Sequence, residues 1–169
     1  MIKILAIPGS LRANSSSNLI LKAVVSMAPP DVSIEIYDGV GILPHFNDEL
    51  NAPHAVISFR KRIKDANAVL ICTPEYAFGV PGSLKNAIDW TVGSGEFMDK
   101  PVGLITASSH GEKGHAALLL ILTAISALVV PEGTLLIPFV RSKLEASGNI
   151  SDPKVVDDIK RVLLALSNV

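Results

Sequence analysis

The sequence is short of cysteine and of net charge, and each shortage closes off a class of protein. The one cysteine, Cys72, cannot form an internal disulfide, so nothing in the chain asks for an oxidising compartment. Fifteen Lys and Arg face sixteen Asp and Glu, a formal charge of −1. So even a balance offers no basic face for duplex DNA or an anionic membrane, and neither partner is expected. No apolar run reaches the roughly 20 residues of a bilayer-spanning helix. The greasiest, Ala116 to Val130, is interrupted by Thr123 and Ser126 and reads as a helix buried on nearly every side. The opening run Met1–Ile7 carries Lys3 inside it and turns at Pro8-Gly9, whereas a secretory signal puts charge first and a longer apolar stretch after it. The expected location is the cytoplasm. His45, His54 and His115 lack the spacing of metal ligands, and no metal is expected.

What the chain does have is apolar bulk in an alternating order. Of its 169 residues 49% are hydrophobic, ample for one buried core, and the chain reads as a single domain over residues 1–169. Lys3–Ile7, Val32–Tyr37, Val69–Cys72, Val102–Thr106 and Thr134–Ile137 read as strands. Between and after them lie helical segments: Ser17 to Met27 with Ile20, Val24 and Met27 on one face, a second marked by Val56, Phe59 and Ile63, and a third at Ser83–Val92. The stretch from Ala116 is the fourth. The fifth opens with Asp152 as cap and Pro153 in the first turn, and Val156, Ile159, Leu163 and Leu166 form its stripe. Strands alternating with helices define an α/β protein with a parallel sheet covered on both faces. The basic cluster Arg60-Lys61-Arg62-Lys64 falls on the helix whose buried face Val56, Phe59 and Ile63 already define, so it reads as that helix's solvated side.

Three loops break the local pattern. After strand one comes Pro8-Gly9-Ser10-Leu11-Arg12 and then the polar run Asn14 to Asn18; after strand three comes Thr73-Pro74-Glu75-Tyr76-Ala77-Phe78-Gly79-Val80-Pro81-Gly82; after strand four comes Ala107-Ser108-Ser109-His110-Gly111-Glu112-Lys113-Gly114. Ligands of open parallel sheets sit beyond the carboxyl ends of the strands where the winding reverses, and in the flavodoxin-like order 2-1-3-4-5 these three loops are neighbours there. The first is suited to an anion: Gly9 permits a tight turn, the serines offer hydroxyls, the helix start presents unpaired N–H groups, and Arg12 adds a planar charged donor. Helix capping by Ser and Asn accounts for the same residues without a ligand. The second loop offers Tyr76 and Phe78 as a flat apolar platform, or else a rigid turn covering the core. The P-loop lysine motif and the spaced glycines of a dinucleotide fingerprint are both missing, which disfavours a triphosphatase or a GxGxxG dehydrogenase. Cys72 at a strand end has a phosphatase-like position, but the arginine such a site needs six residues on is Phe78, and a buried thiol is the better reading.

Taken together, Gly9-Ser10-Leu11-Arg12 with Ser16-Ser17-Asn18, then Thr73-Pro74-Glu75-Tyr76, then Pro81-Gly82-Ser83-Leu84-Lys85-Asn86-Ala87-Ile88-Asp89-Trp90, resemble the NADPH-dependent FMN reductase family over nearly the whole chain. Leu43-Pro44 and Phe46-Asn47-Asp48 echo a weaker motif of the same family. The resemblance implies a three-layer flavodoxin-like sandwich, and bound FMN with its phosphate on Ser10, Arg12, Ser16, Ser17 and Asn18. It implies that the flavin ring rests against Pro74, Glu75, Tyr76, Ala77 and Phe78, with Ser108, Ser109 and Gly111 opposite. It also implies NADPH or NADH as co-substrate, a quinone-like small acceptor, and homodimers or homotetramers. Two departures stand out. The segment from Arg12 to Asn18 is one residue longer than the family spacing, leaving open which of Ser15, Ser16 and Ser17 meets phosphate, and Ala77 replaces the family's Asn. With FMN carrying the redox chemistry no acid or base is required of the protein, so no catalytic residue is named. His110 beside the ring site reads as a polar loop residue, with stabilisation of reduced flavin as its functional alternative. The competing function is a flavodoxin-type electron carrier, which would dock on basic partners through a strongly acidic surface that this chain lacks.

Overall fold

The computed structural model describes residues 1–48 and 51–169. Five strands, β1 (Ile2–Pro8), β2 (Val32–Ile36), β3 (Ala68–Thr73), β4 (Pro101–Ala107) and β5 (Leu128–Ile137), form one parallel sheet in the order β2-β1-β3-β4-β5. Five helices cover it: α1 (Ser16–Ser26), α2 (His54–Asp65), α3 (Gly82–Val92), α4 (Glu112–Ala124) and α5 (Pro153–Ser167). This is the flavodoxin-like sandwich.

Side-chain alternation sorts the core into two layers. Ile4 and Ala6 of β1 face α1 and α5, packing with Ile20, Val24, Ile159 and Leu163. Leu5 and Ile7 point the other way, toward Phe59 of α2, Ile88 of α3 and Leu118 of α4. All six residues of β3 are buried, the mark of a central parallel strand with both faces covered. Each fully buried Leu or Ile there contributes about 1.5–3 kcal/mol by leaving water.

The stretch from Ala116 to Val130 is not one buried helix. Helix α4 begins at Glu112, so Glu112, Lys113 and Gly114 are its first turn rather than loop; it stops at Ala124, a turn with Ser126 at φ +58° follows, and β5 begins at Leu128. Nor is α4 buried all round, since Leu120 is 73% exposed. Helix and strand are both apolar here, and a continuous apolar run erases the change of period that would mark the boundary. The early part of β5 is an outer strand whose register shifts against β4 between Val102 and Leu104. In α5, Asp152 accepts from the Lys154 N–H at 2.9 Å, as a cap should; Val155 rather than Val156 joins the core. Among the described residues no helix is long and apolar enough to cross a membrane.

The Lys85 to Trp90 motif turns out to hold a neighbouring segment in place. Trp90 Nε1 and Asn86 Nδ2 both donate to the Pro44 carbonyl, at 2.8 and 3.0 Å, and the Phe46 N–H donates to Asn86 Oδ1 at 2.7 Å. Phe46 meets the Trp90 ring edge-on at 5.2 Å. On α2, Arg60 donates to the Trp90 carbonyl, Lys61 pairs with Asp65 and Arg62 with Glu35, so three of the clustered charges are spent within the fold.

Candidate active site

The loop after β1 is held down at three points before it enters α1. Gly9 donates to the Cys72 carbonyl at 2.8 Å and lies so close to β3 that a Cβ would stand 2.2 Å from Thr73 Oγ1. The buried Ser10 Oγ accepts from the Arg12 N–H at 3.3 Å and lies 3.4 Å from the Tyr76 hydroxyl. Asn18 Nδ2 reaches back to the carbonyls of Ser10 and Arg12, at 3.2 and 2.9 Å. Ser15 is the helix cap: its Oγ accepts from the Asn18 N–H at 3.2 Å and lies 3.2 Å from Ser17 Oγ. That leaves the N–H groups of Ser16 and Ser17 at the first positions of α1 with no acceptor among the described residues. The Arg12 guanidinium likewise has no partner among them. Orphan donors at a helix start, beside a cation unpaired among the described residues, have the chemistry that an anion requires.

The loop after β3 is a two-residue hairpin. Tyr76 and Gly79 exchange both backbone hydrogen bonds, at 2.9 and 3.0 Å, and Ala77 and Phe78 between them take left-handed φ of +48° and +60°. The turn lifts Phe78 into solvent, 77% exposed, and leaves Tyr76 half exposed. Glu75 points the other way: its Oε2 accepts from the Gly114 N–H at 2.7 Å, in the first turn of α4. The residue preceding α4, Gly111 at φ +102°, has no side chain to cap the helix, so a carboxylate from a different loop does it. The loop after β4 is tied to the turn after β5, since Ser109 and Ser108 accept from the N–H groups of Phe139 and Val140 at 3.1 Å each.

These segments converge. One cleft of about 140 Å³ is lined by Arg12, Ser15, Ser16 and Ser17 from the β1 loop, Pro74, Glu75 and Tyr76 from the β3 loop, Ala107, Ser108 and Ser109 from β4 and its loop, and Val140 and Arg141 from the 3-10 turn Val140–Lys143 after β5. Of the residues singled out from the sequence, Ser10, Asn18, Ala77, Phe78 and Gly111 lie outside that lining. Ser10 and Asn18 brace the loop from its far side, Ala77 and Phe78 form the hairpin tip, and Gly111 is buried at the start of α4. Arg141 was not singled out, although the rule that ligands gather at strand carboxyl ends applies to β5 as it does to its neighbours.

A larger cleft of about 330 Å³ lies on the other side of the β1 loop, lined by Leu11, Lys22, Ile36, Tyr37, Asp38 and their neighbours. It touches neither the β3 nor the β4 loop and receives none of the free helix amides. Cys72 does not open into either space: it is fully buried, its Sγ donates to the Ser17 carbonyl at 3.1 Å, and burial pushes the thiol far above the ordinary range. His110 is exposed and packs against the Phe139 ring at 5.8 Å. His115 is half buried with Nδ1 2.8 Å from Thr106 Oγ1, and burial holds its pKa below the ordinary value.

An open parallel sheet with an anion-binding helix start and flanking loops at one carboxyl edge is the architecture of flavodoxin-like nucleotide-binding proteins. Residues 2–141 match the NADPH-dependent FMN reductases, and the chain belongs to that family. It is 36% identical to an NAD(P)H-dependent FMN reductase of Pseudomonas aeruginosa, over 98% of this chain and 93% of the relative. It is 33% identical to a 2-hydroxy-1,4-benzoquinone reductase of a Burkholderia species, over 96% and 90% respectively. The solved structure of FerB, a flavoenzyme NAD(P)H:(acceptor) oxidoreductase from Paracoccus denitrificans, superposes with a TM-score of 0.81 at 27% identity, covering 99% of this chain and 96% of that one. The protein is therefore an NAD(P)H-dependent oxidoreductase with FMN as its cofactor.

Proposed function

We propose that the protein reduces quinones or similar small acceptors with NAD(P)H, through an FMN whose phosphate rests on the start of α1. The observation that carries this reading is the single cleft lined by Arg12, Ser16 and Ser17, whose guanidinium and amides have no partner among the described residues, together with the Pro74–Tyr76 and Ser108–Ser109 segments. FMN fits that donor set, because a phosphomonoester dianion satisfies orphan N–H groups and a free arginine at once. The chemistry that FMN supplies is two-electron transfer from a nicotinamide to an acceptor, which asks no acid or base of the protein. The chain's own work is to bind and orient. Ser16, Ser17 and Arg12 hold the phosphate, with Ser15 as the cap that aims the helix. Pro74, Glu75 and Tyr76 support the ring on one side and Ser108 and Ser109 on the other, with Ala77 and Phe78 as an exposed lip. Ser10 and Asn18 keep the loop in shape, and Gly111 sets the start of α4.

The whole chain acts in this reading as one FMN-binding unit, in the cytoplasm and as a homo-oligomer. Met98, Leu120 and Leu128, all largely exposed around the α3–β4 connection, α4 and the start of β5, are the surface that a second copy would cover. Purified protein loaded with FMN should oxidise NADPH when menadione is added; a yellow protein that does not turn over would refute the enzyme and favour the carrier. Arg12→Ala should raise the FMN dissociation constant roughly 10- to 150-fold, the worth of a charged hydrogen bond of about 1.5–3 kcal/mol. An unchanged constant would remove Arg12 from the phosphate site.

A further inference from the structure

We infer that Arg141 is a second phosphate-binding arginine, closing the anion site from the side opposite the β1 loop so that two guanidinium groups share one dianion. This rests on the placement of the FMN phosphate at α1.

Four observations carry it. Arg141 lines the same small cleft as Arg12, Ser16 and Ser17, although it arrives from the other end of the sheet order. Its side chain has no carboxylate or carbonyl partner among the described residues. The other cation of that turn, Lys143, is already committed to Asp152 at 2.8 Å, so Arg141 is the one left for a ligand. And the backbone that carries it is fixed: Val140 is buried in the core, the N–H groups of Phe139 and Val140 donate to Ser109 and Ser108, and Ser142 Oγ donates to the Phe139 carbonyl at 2.8 Å. A cation left unpaired on an anchored turn is pre-organised for an anion.

The charge balance points the same way. A phosphomonoester carries close to two negative charges at neutral pH, because its second pKa is about 6. Arg12 alone neutralises one of them. Arg141 supplies the missing positive charge, and its planar fork suits bidentate contact with phosphate oxygens. The rival occupant is a phosphate of the nicotinamide substrate. The sharing of one cleft with the α1 amides favours the flavin phosphate.

The test titrates the full chain, freed of flavin, with FMN and separately with riboflavin, following the quenching of flavin fluorescence. Arg141→Ala should weaken FMN about tenfold and leave riboflavin within twofold, and Arg141→Lys should recover part of the loss. The melting temperature of the flavin-free variant should match wild type, because the guanidinium has no hydrogen-bond or ion-pair partner among the described residues. Raising the salt concentration should narrow the FMN difference. FMN binding within twofold of wild type in Arg141→Ala overturns the inference, as does an equal loss with riboflavin. So does a raised KM for NADPH at an unchanged FMN constant, which would give the arginine to the reductant. Wild-type protein that binds riboflavin as tightly as FMN overturns the phosphate site itself, and Arg141 with it.

Discussion

Replacing Gly114 by alanine sets two effects of opposite sign against each other. Inside a helix the change by itself adds about 0.5–1 kcal/mol of stability. Gly114, however, is the third residue of α4, where the helix meets the β3 hairpin. An added Cβ would stand 3.1 Å from both Glu75 Cγ and the Gly79 carbonyl oxygen, and 3.2 Å from Glu75 Cβ. Neither neighbour is free to yield. The Glu75 side chain is held by the hydrogen bond from Gly114 itself, and the Gly79 carbonyl accepts from the Tyr76 N–H at 3.0 Å. Accommodation requires either a shifted hairpin or a lengthened cap, each costing roughly 1–3 kcal/mol. The net expectation is a loss of about 1–2 kcal/mol, or roughly 2–8 °C in Tm for a chain of this size. Thermal melts of the flavin-free protein by circular dichroism measure it. Glu75→Ala alone should cost about 1–3 kcal/mol, as the loss of a charged cap at a helix start. In that background Gly114→Ala should cost less than it does alone, since part of the crowding has gone. A Tm raised by Gly114→Ala, or strictly additive losses in the double variant, would refute the coupling of hairpin to helix.

Three further outcomes are expected. Gly9→Ala places a Cβ 2.2 Å from Thr73 Oγ1 and 2.8 Å from the Thr73 Cα; it should destabilise by about 2 kcal/mol or more. Adding Thr73→Ala should restore little of that in a melt, because the backbone contact stays; full rescue would contradict this. Ala77→Asn and Ala77→Gly should each hold or raise Tm, because a left-handed residue with a Cβ costs about 1–2 kcal/mol that Asn relieves and Gly avoids; a clear drop in both would contradict the turn. His115 has a folded pKa below its unfolded value because of burial. Its contribution is therefore present above about pH 6.5 and is lost as pH falls through the lower folded value. Between about pH 7.5 and about pH 5 the Tm of wild type should fall further than that of His115→Gln, and parallel curves would exclude His115 as a cause.

The sheet was legible because each strand carries its own apolar run bounded by turn residues, and α5 because Asp152, Pro153 and a spaced apolar stripe agree with one another. The boundary inside Ala116 to Val130 was not, because apolar residues run from α4 into β5 with only Thr123 and Ser126 between them, and of these only Ser126 marks the turn. At the site, the serines and Arg12 stood out as a polar loop opening a helix, and the structure gathers most of them at one cleft. Sequence could not divide them into those that face the cleft and those that brace it. Asn18 and Ser10 have the chemistry of ligands; their hydrogen bonds run to the loop backbone and to Tyr76, and the buried Asn18 Oδ1 has no partner among the described residues. Nor could it give Glu75 its place, since the helix it caps begins more than 30 residues along the chain. Arg141 was missed because nothing in its neighbourhood departs from an ordinary surface turn; only the packing of that turn against the β4 loop brings it to the cleft.

A crystal structure of the FMN-loaded protein would show whether the phosphate of FMN sits on the first turn of α1. Phosphate oxygens should lie within hydrogen-bond distance of the Ser16 and Ser17 amides, about 2.7–3.2 Å, with the ring between the Tyr76 hairpin and the Ser108–Ser109 loop. A phosphate lodged instead in the wider cleft beneath Leu11 and Tyr37, with those amides left bare, would contradict that placement.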